Sequence, residues 1–177
     1  MKATGIVRRI DHLGRVVIPR ELRRSMHICD GDPLEIHTGT NDEIIFTKYS
    51  PLLNIRSIAQ DVCDGISKAI GNRVIITDNT KVIAEQGTSG FKDKNIHATL
   101  KEFRISKNPL FSNVGQVELI EGDVPGKYGD ELIIPIVCDN NVFGIIVIFA
   151  APKEKIHGSA SFVANSAAIF IAKYINN

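Results

Sequence analysis

The 177-residue chain predicts two modules of different class: an all-β segment with one short helix over residues 1–51, and an α+β domain with an antiparallel sheet over residues 52–177. Three observations lead there. Charge is divided unevenly: residues 1–24 carry seven basic side chains against two acidic ones, residues 25–50 one against five, and residues 51–177 thirteen of each. The apolar pattern changes from short β-branched runs before residue 50 to a long stripe at helical spacing after it. Between the two stands Tyr49-Ser50-Pro51, a punctuation that breaks either pattern.

In the first module, Ile6–Ile10 is rich in β-branched residues and reads as a strand, followed by a turn over Asp11–Gly14, where Gly14 is free to take positive φ. Val16, Val17 and Ile18 form a second apolar run, expected to be buried on both faces. Pro19 suits the first position of a helix, and Glu21–His27 gives about two turns. Leu22 and Met26 share one side of that helix, and Arg20, Arg23, Arg24 and His27 the other. Leu34–Thr38 and Glu43–Lys48 are strands joined at Gly39–Asp42, a hairpin signal.

The basic residues of this module are Lys2, Arg8, Arg9, Arg15, Arg20, Arg23 and Arg24, a net +5 over residues 1–24 on a chain whose total is +1. Charge concentrated in this way is the footprint of a polyanion-binding face. A β-rich segment of about fifty residues buries too little surface to be stable alone, and neither disulfide nor metal is available to help, so association between chains is required.

The run from Gly5 to Asp11, then Leu13 to Pro19, Glu21 to Arg24, Ile28, Gly31-Asp32 and Leu34 to Ile36 closely resembles the AbrB-type transition-state regulators, bacterial DNA-binding proteins with a swapped-hairpin fold. The resemblance covers residues 2–51 and implies a dimer in which hairpins from two chains interleave. It also implies that Arg8, Arg15, Arg23 and Arg24 contact double-stranded DNA, with Lys2, Arg9 and Arg20 as further candidates. Met26-His27 departs from the Leu-Gly common in that family.

In the second module, Leu53, Ile55, Ile58, Ala59, Val62, Ile66, Ala69 and Ile70 recur at helical spacing, and Gly71 ends the helix. Strands are expected at Arg73–Asp78, Lys81–Gln86, Val114–Ile120, Leu132–Cys138 and Val142–Phe149, and further helices at Ile96–Lys107 and Ala160–Ile175. The order αββαβββα, with its last two strands meeting in a tight turn, indicates the antiparallel α+β class. Leu132–Cys138 with its Pro135, the turn, and Val142–Phe149 with its Gly144 are similar to the closing hairpin of GAF domains, PAS domains being the neighbouring alternative. Taken whole, the chain resembles regulators of spore-forming bacteria that join an AbrB-type domain to a GAF-type one. That implies a transcription regulator of sporulation genes, with residues 52–177 sensing an unidentified small molecule or assembling subunits.

Catalysis is not expected. No P-loop, H-E-x-x-H or G-x-S-x-G motif occurs, and Gly122–Gly129 lacks the spacing and the Ser/Thr of a phosphate loop. His97, His157 and Cys138 stand apart from any acid–base–nucleophile set. Cys29, Cys63 and Cys138 are scattered, which points to reduced thiols and to neither a zinc site nor any other cofactor. Residues 1–4 lack the apolar core of a signal peptide, and the longest apolar run, Val142–Ala151, is about half of what a membrane helix needs. A cytoplasmic, nucleoid-associated protein is therefore expected, with no membrane partner. An antitoxin that binds both DNA and a toxin is the alternative use of the first module, but antitoxins usually follow it with a disordered tail. The C-terminal helix reads as apolar on nearly every side, so it is expected to bury one side on its own sheet and another elsewhere; the Leu53–Ile70 helix is the alternative cover within the chain, but a second subunit is favoured, with Ala168 and Phe170 at a contact between chains that makes a homotetramer.

Overall fold

In the computed structural model, residues 4–26, 28, 30–88, 90–103, 110–112, 118–124 and 126–176 are described. The chain divides into two compact units, Met1–Tyr49 and Ser50–Asn177. In the first, a short helix α1 (Arg20–Ser25) precedes a hairpin of β1 (Leu34–Thr38) and β2 (Ile44–Lys48). The hairpin pairs in register from Leu34↔Lys48 to Thr38↔Ile44. Its turn is closed by the Gly39 N–H donating to the Glu43 carbonyl at 2.8 Å, with Asp42 at φ 55°. α1 starts one residue earlier than the sequence predicts, with Pro19 at its N-cap rather than inside it.

The strands expected at Ile6–Ile10 and Val16–Ile18 do not form within the chain. Val16 and Val17, expected to be buried, are 46% and 72% exposed, and Val7 is 83% exposed. The cross-strand pair Ile36↔Phe46 is also open to solvent. Among the described residues of this unit only Pro19 is buried. The reason is arithmetic: one hairpin and two helical turns have no second layer to lie against, so the apolar side chains of a single copy have nothing to cover them.

The second unit carries α2 (Pro51–Asn54), α3 (Arg56–Ile70), β3 (Arg73–Asp78), β4 (Val82–Gln86), α4 (Ala98–Phe103), β5 (Leu110–Ser112), β6 (Glu131–Cys138), β7 (Asn141–Phe149) and α5 (Ser159–Ile175). Its five strands lie in the order β4-β3-β7-β6-β5, each pair antiparallel. Successive residues of a strand point to opposite faces, and the core divides accordingly. Val74, Ile76, Leu132, Ile134, Ile136, Ile146 and Ile148 join α3 and α5 in one cluster. Ile75, Ile133, Ile145, Val147 and Phe149 form a second, on the other face, with Phe91, Ile96, Leu100, Leu119, Ile120 and Tyr128. Both faces are covered, which is why β6 and β7 read as continuous apolar runs. The β6–β7 turn places Asp139 and Asn140 at φ 45° and 68°, the positive pair that matches strand twist in a two-residue loop.

Several expectations shift. The helix expected from Leu53 is broken at Ile55 (φ −111°, ψ 28°) into α2 and α3, and Leu52 rather than Leu53 is fully buried. The helix expected from Ile96 starts at Ala98, because Ile96 instead bridges to Ile120. Its predicted end beyond residue 103, and residues 114–117 of the predicted strand, lie outside the described residues. A strand not foreseen, β5, pairs with residues 131–133. On the outer side of β4, the Gln60 side chain donates to the Glu85 carbonyl at 2.9 Å and accepts from the Glu85 N–H at 3.4 Å. Val82 on the same edge exchanges hydrogen bonds of 2.9 Å with residues 93–94.

α5 has two faces. Ala160, Ala164, Ala168, Ile171 and Ala172 are buried against the sheet and α3, small side chains that let the helix lie close. Ala168, expected at a contact between chains, is thus part of the unit's own core, 4% exposed. The physical reason is its i, i+4 alignment with Ala160 and Ala164 on the inward stripe. Phe162, Ile169, Phe170 and Tyr174 point outward, with the Phe170 and Tyr174 rings 6.2 Å apart.

Candidate nucleic-acid interface

The basic residues of the first unit stand on three local frames: the segment before residue 11, the turn at residues 11–15, and α1. The turn is built around one carboxylate. Asp11 Oδ1 accepts the N–H groups of Leu13 at 2.9 Å and Arg15 at 2.8 Å, and Oδ2 accepts Arg15 Nε at 2.8 Å. The backbone closes the same loop, Asp11 N–H donating to the Arg15 carbonyl and Gly14 N–H to the Asp11 carbonyl. Gly14 takes φ 75°, as the turn requires. The backbone hydrogen bond from Arg15, reinforced by its side chain, holds the Asp11 carboxyl below the usual range. The Arg15 side chain remains 69% exposed.

α1 is short, and its charges suit its dipole, with Glu21 in the first turn and Arg23 and Arg24 in the last. Its end is satisfied by the Met26 and Ile28 N–H groups donating to the Leu22 and Arg23 carbonyls. Arg23, half-buried, donates from Nη1 to Asp30 Oδ1. Arg24, Arg20, Arg8 and Arg9 are exposed, and Arg8 Nη1 donates to the Val7 carbonyl at 3.0 Å. Among the described residues none of these four has a carboxylate partner. Lys2 and His27 lie outside the described residues. Charge counting located the arginines but missed the carboxylates that order two of them. The signal for one was present, an Asp four residues before an Arg with a glycine between.

Elsewhere the singled-out residues are held locally. His97 Nδ1 lies 3.0 Å from Thr99 Oγ1, and His157 Nδ1 lies 3.3 Å from Ser159 Oγ. Cys63 donates to the Val74 carbonyl, its thiol pushed up to about 12 by burial, an inert core group. Among the described residues no three His, Cys, Asp or Glu side chains gather in a metal-binding arrangement, and no helix is long and apolar enough to cross a membrane.

Residues 54–176 match the family described as stage V sporulation protein T C-terminal, transcription factor. The whole chain is 37% identical over 177 residues to stage V sporulation protein T of Bacillus subtilis (strain 168), spanning 98% of each. The chain belongs to the stage V sporulation protein T family. Its first unit is of AbrB type: the chain is 43% identical over 77 residues to the transition state regulatory protein AbrB of the same organism, covering 44% of this chain and 78% of that one. Residues 7–53 also match a family described as antidote-toxin recognition MazE, bacterial antitoxin. The second unit of this family member is GAF-like. The GAF domain of an Acinetobacter phosphoenolpyruvate-protein phosphotransferase superposes with a TM-score of 0.58 at 9% identity, over 73% of this chain and 84% of that domain. The first unit is thus of the all-β swapped-hairpin class with a short helix, and the second is α+β with an antiparallel sheet.

Proposed function

We propose that the protein is a sequence-selective DNA-binding transcription regulator of sporulation genes, acting in the cytoplasm on the nucleoid. In this reading residues 1–51 pair two chains into a swapped-hairpin dimer, and the dimer presents Arg8, Arg15, Arg23 and Arg24 to double-stranded DNA. Residues 52–177 join dimers into a homotetramer and respond to an unidentified small molecule. The carrying observation is the net +5 of residues 1–24, set in a small unit whose apolar side chains are left uncovered in a single copy. Two-fold pairing repeats the basic set along one surface, as a duplex requires. Lys2, Arg9 and Arg20 extend the same set.

The antitoxin reading draws on the match of residues 7–53. Against it, the first unit is followed by a folded α+β unit, Ser50–Asn177, where a toxin-wrapping tail would be disordered.

The test is substitution of each of the four arginines by alanine. Binding to duplex DNA is expected to weaken without loss of the far-UV circular dichroism of the fold. A phosphate contact removed should lower the salt slope by roughly 0.9 per contact. Unchanged affinity in all four variants would sink the DNA assignment.

The outward face of α5 supports the tetramer, and Phe170 is its probe. Phe170→Glu should reduce the mass seen by light scattering from a tetramer to a dimer and weaken DNA binding on the order of 10²-fold by loss of avidity. A folded Phe170→Glu protein of unchanged mass and affinity removes α5 from the assembly.

A further inference from the structure

Resting on the DNA-binding reading above, we infer that Asp11 is the positioning residue for Arg15, holding its guanidinium side-on so that Arg15 reads a base edge while Arg8 and Arg24 contact phosphate. The geometry separates the arginines into three kinds. Arg15 gives only its Nε to a carboxylate, and among the described residues its two Nη groups have no hydrogen-bond partner. Those two donors form one of the forks that match O6 and N7 of guanine. Arg23 gives Nη1 to Asp30, so its carboxylate occupies one tine of that fork. Arg8, whose Nη1 rests on the Val7 carbonyl, and Arg24 have no carboxylate partner among the described residues, so nothing fixes their guanidinium groups to a frame and their charge is available to phosphate.

Asp11 is suited to positioning because one carboxylate does two things at once. Oδ1 shapes the turn through two backbone N–H groups, and Oδ2 fixes the side chain at its end. Backbone and guanidinium therefore share one rigid frame, and the rotamer freedom that an arginine loses on binding is already restricted. An exposed ion pair contributes little to stability. Its consequence is where the guanidinium stands. A carboxylate at a DNA-binding face also repels phosphate, so it weakens non-specific binding while it sharpens specific binding.

Those opposite signs make the test. Duplexes of about 30 bp, long enough for two half-sites, are enriched from a random-sequence library by the full-length wild-type protein. Affinities for the enriched and the unselected pools are then measured across a range of salt. Asp11→Asn keeps the Oδ1 acceptor of the turn and loses the charge. It is expected to lower the ratio of enriched to unselected affinity by about 10-fold, with binding to the unselected pool equal to or tighter than wild type. Arg15→Lys, which keeps the charge and loses the fork, should lower the ratio similarly, and the double variant should be no worse than the worse single. The Arg15 Nε–H resonance, distinct in the wild type, should join those of the unpaired arginines in Asp11→Asn.

An unchanged ratio in Asp11→Asn overturns the inference. So do equal losses on both pools, or losses that multiply in the double variant. A wild-type protein that enriches nothing overturns the DNA-binding reading and this inference together. Enrichment with Asp11→Asn unaffected overturns the role of Asp11 alone.

Discussion

Gly144→Ala is expected to destabilise the second unit by about 3 kcal/mol, the upper end for overpacking a close-packed interior. A Cβ at this position would stand 2.2 Å from the Thr77 carbonyl oxygen and 2.4 Å from Leu52 Cδ1. Leu52 has little space, since it is fully buried. Thr77 has less, since β3 is hydrogen-bonded to β4 on one side and β7 on the other. Gly144 itself faces Asp78 of β3 and Ile136 of β6. The glycine in the β7 motif is therefore required by the close approach of the Thr77 backbone and the Leu52 side chain and not by its own torsions. The same substitution at Gly65, in the middle of α3 with nothing within 4 Å, should instead stabilise by about 0.5–1 kcal/mol, through helix propensity. Urea midpoints for the two variants should move in opposite directions. A Gly144→Ala midpoint within error of wild type would mean that Thr77 and Leu52 give way to a Cβ without cost.

Glu131 carries the second large effect. It sits at the start of β6, 3% exposed, and among the described residues its Oε2 has no hydrogen-bond partner. Burial, aided by the nearby Asp123 carboxylate, raises its pKa to about 8. In the unfolded chain it titrates near 4.5. Between those values the folded state holds a proton that the unfolded state has released, so stability falls as pH rises across that window. The full contribution is present below pH 4.5 and gone above about 8. One pKa unit is worth about 1.4 kcal/mol, so after allowance for relaxation the loss is on the order of 3 kcal/mol. Glu131→Gln keeps the volume and removes the titration. Its unfolding free energy should change little at pH 5 and exceed that of the wild type by on the order of 3 kcal/mol at pH 8.5. Parallel pH profiles for the two proteins would show that Glu131 is solvated in the native state.

How much of this was legible in the residues depended on where the partners of each segment lie. Leu34–Thr38 and Arg73–Asp78 were read with their observed bounds, because turn residues bracket them and their partners follow closely in sequence. The β6–β7 hairpin was legible for the same reason. Ile6–Ile10 and Val16–Ile18 have the composition of strands, yet they form no ladder within the chain, and propensity does not say where a strand finds its partner. The three residues of β5 are too few to show a period. Ile55 breaks its helix without a glycine or proline to announce it. Ala168 and Phe170 looked alike on a helix apolar all round, and only packing tells which of them faces the sheet. At the candidate interface the arginines were visible as charge. What was not visible was that Asp11 and Asp30 each take one of them, because a carboxylate near a basic cluster reads simply as one positive charge fewer.

The Gln60 amide on the rim of β4 has a consequence for how copies of this chain meet. An open strand edge is a template that accepts almost any other strand, since backbone groups are the same in every protein. Here the Glu85 rung of that template is occupied by a side chain, and the Val82 rung by residues 93–94. Unspecific zippering onto β4 is thereby denied. What α5 offers instead is a surface of particular side chains, Phe162, Ile169, Phe170 and Tyr174, which only a matching shape can satisfy. A surface of particular side chains discriminates between shapes, where an open strand edge would accept any backbone.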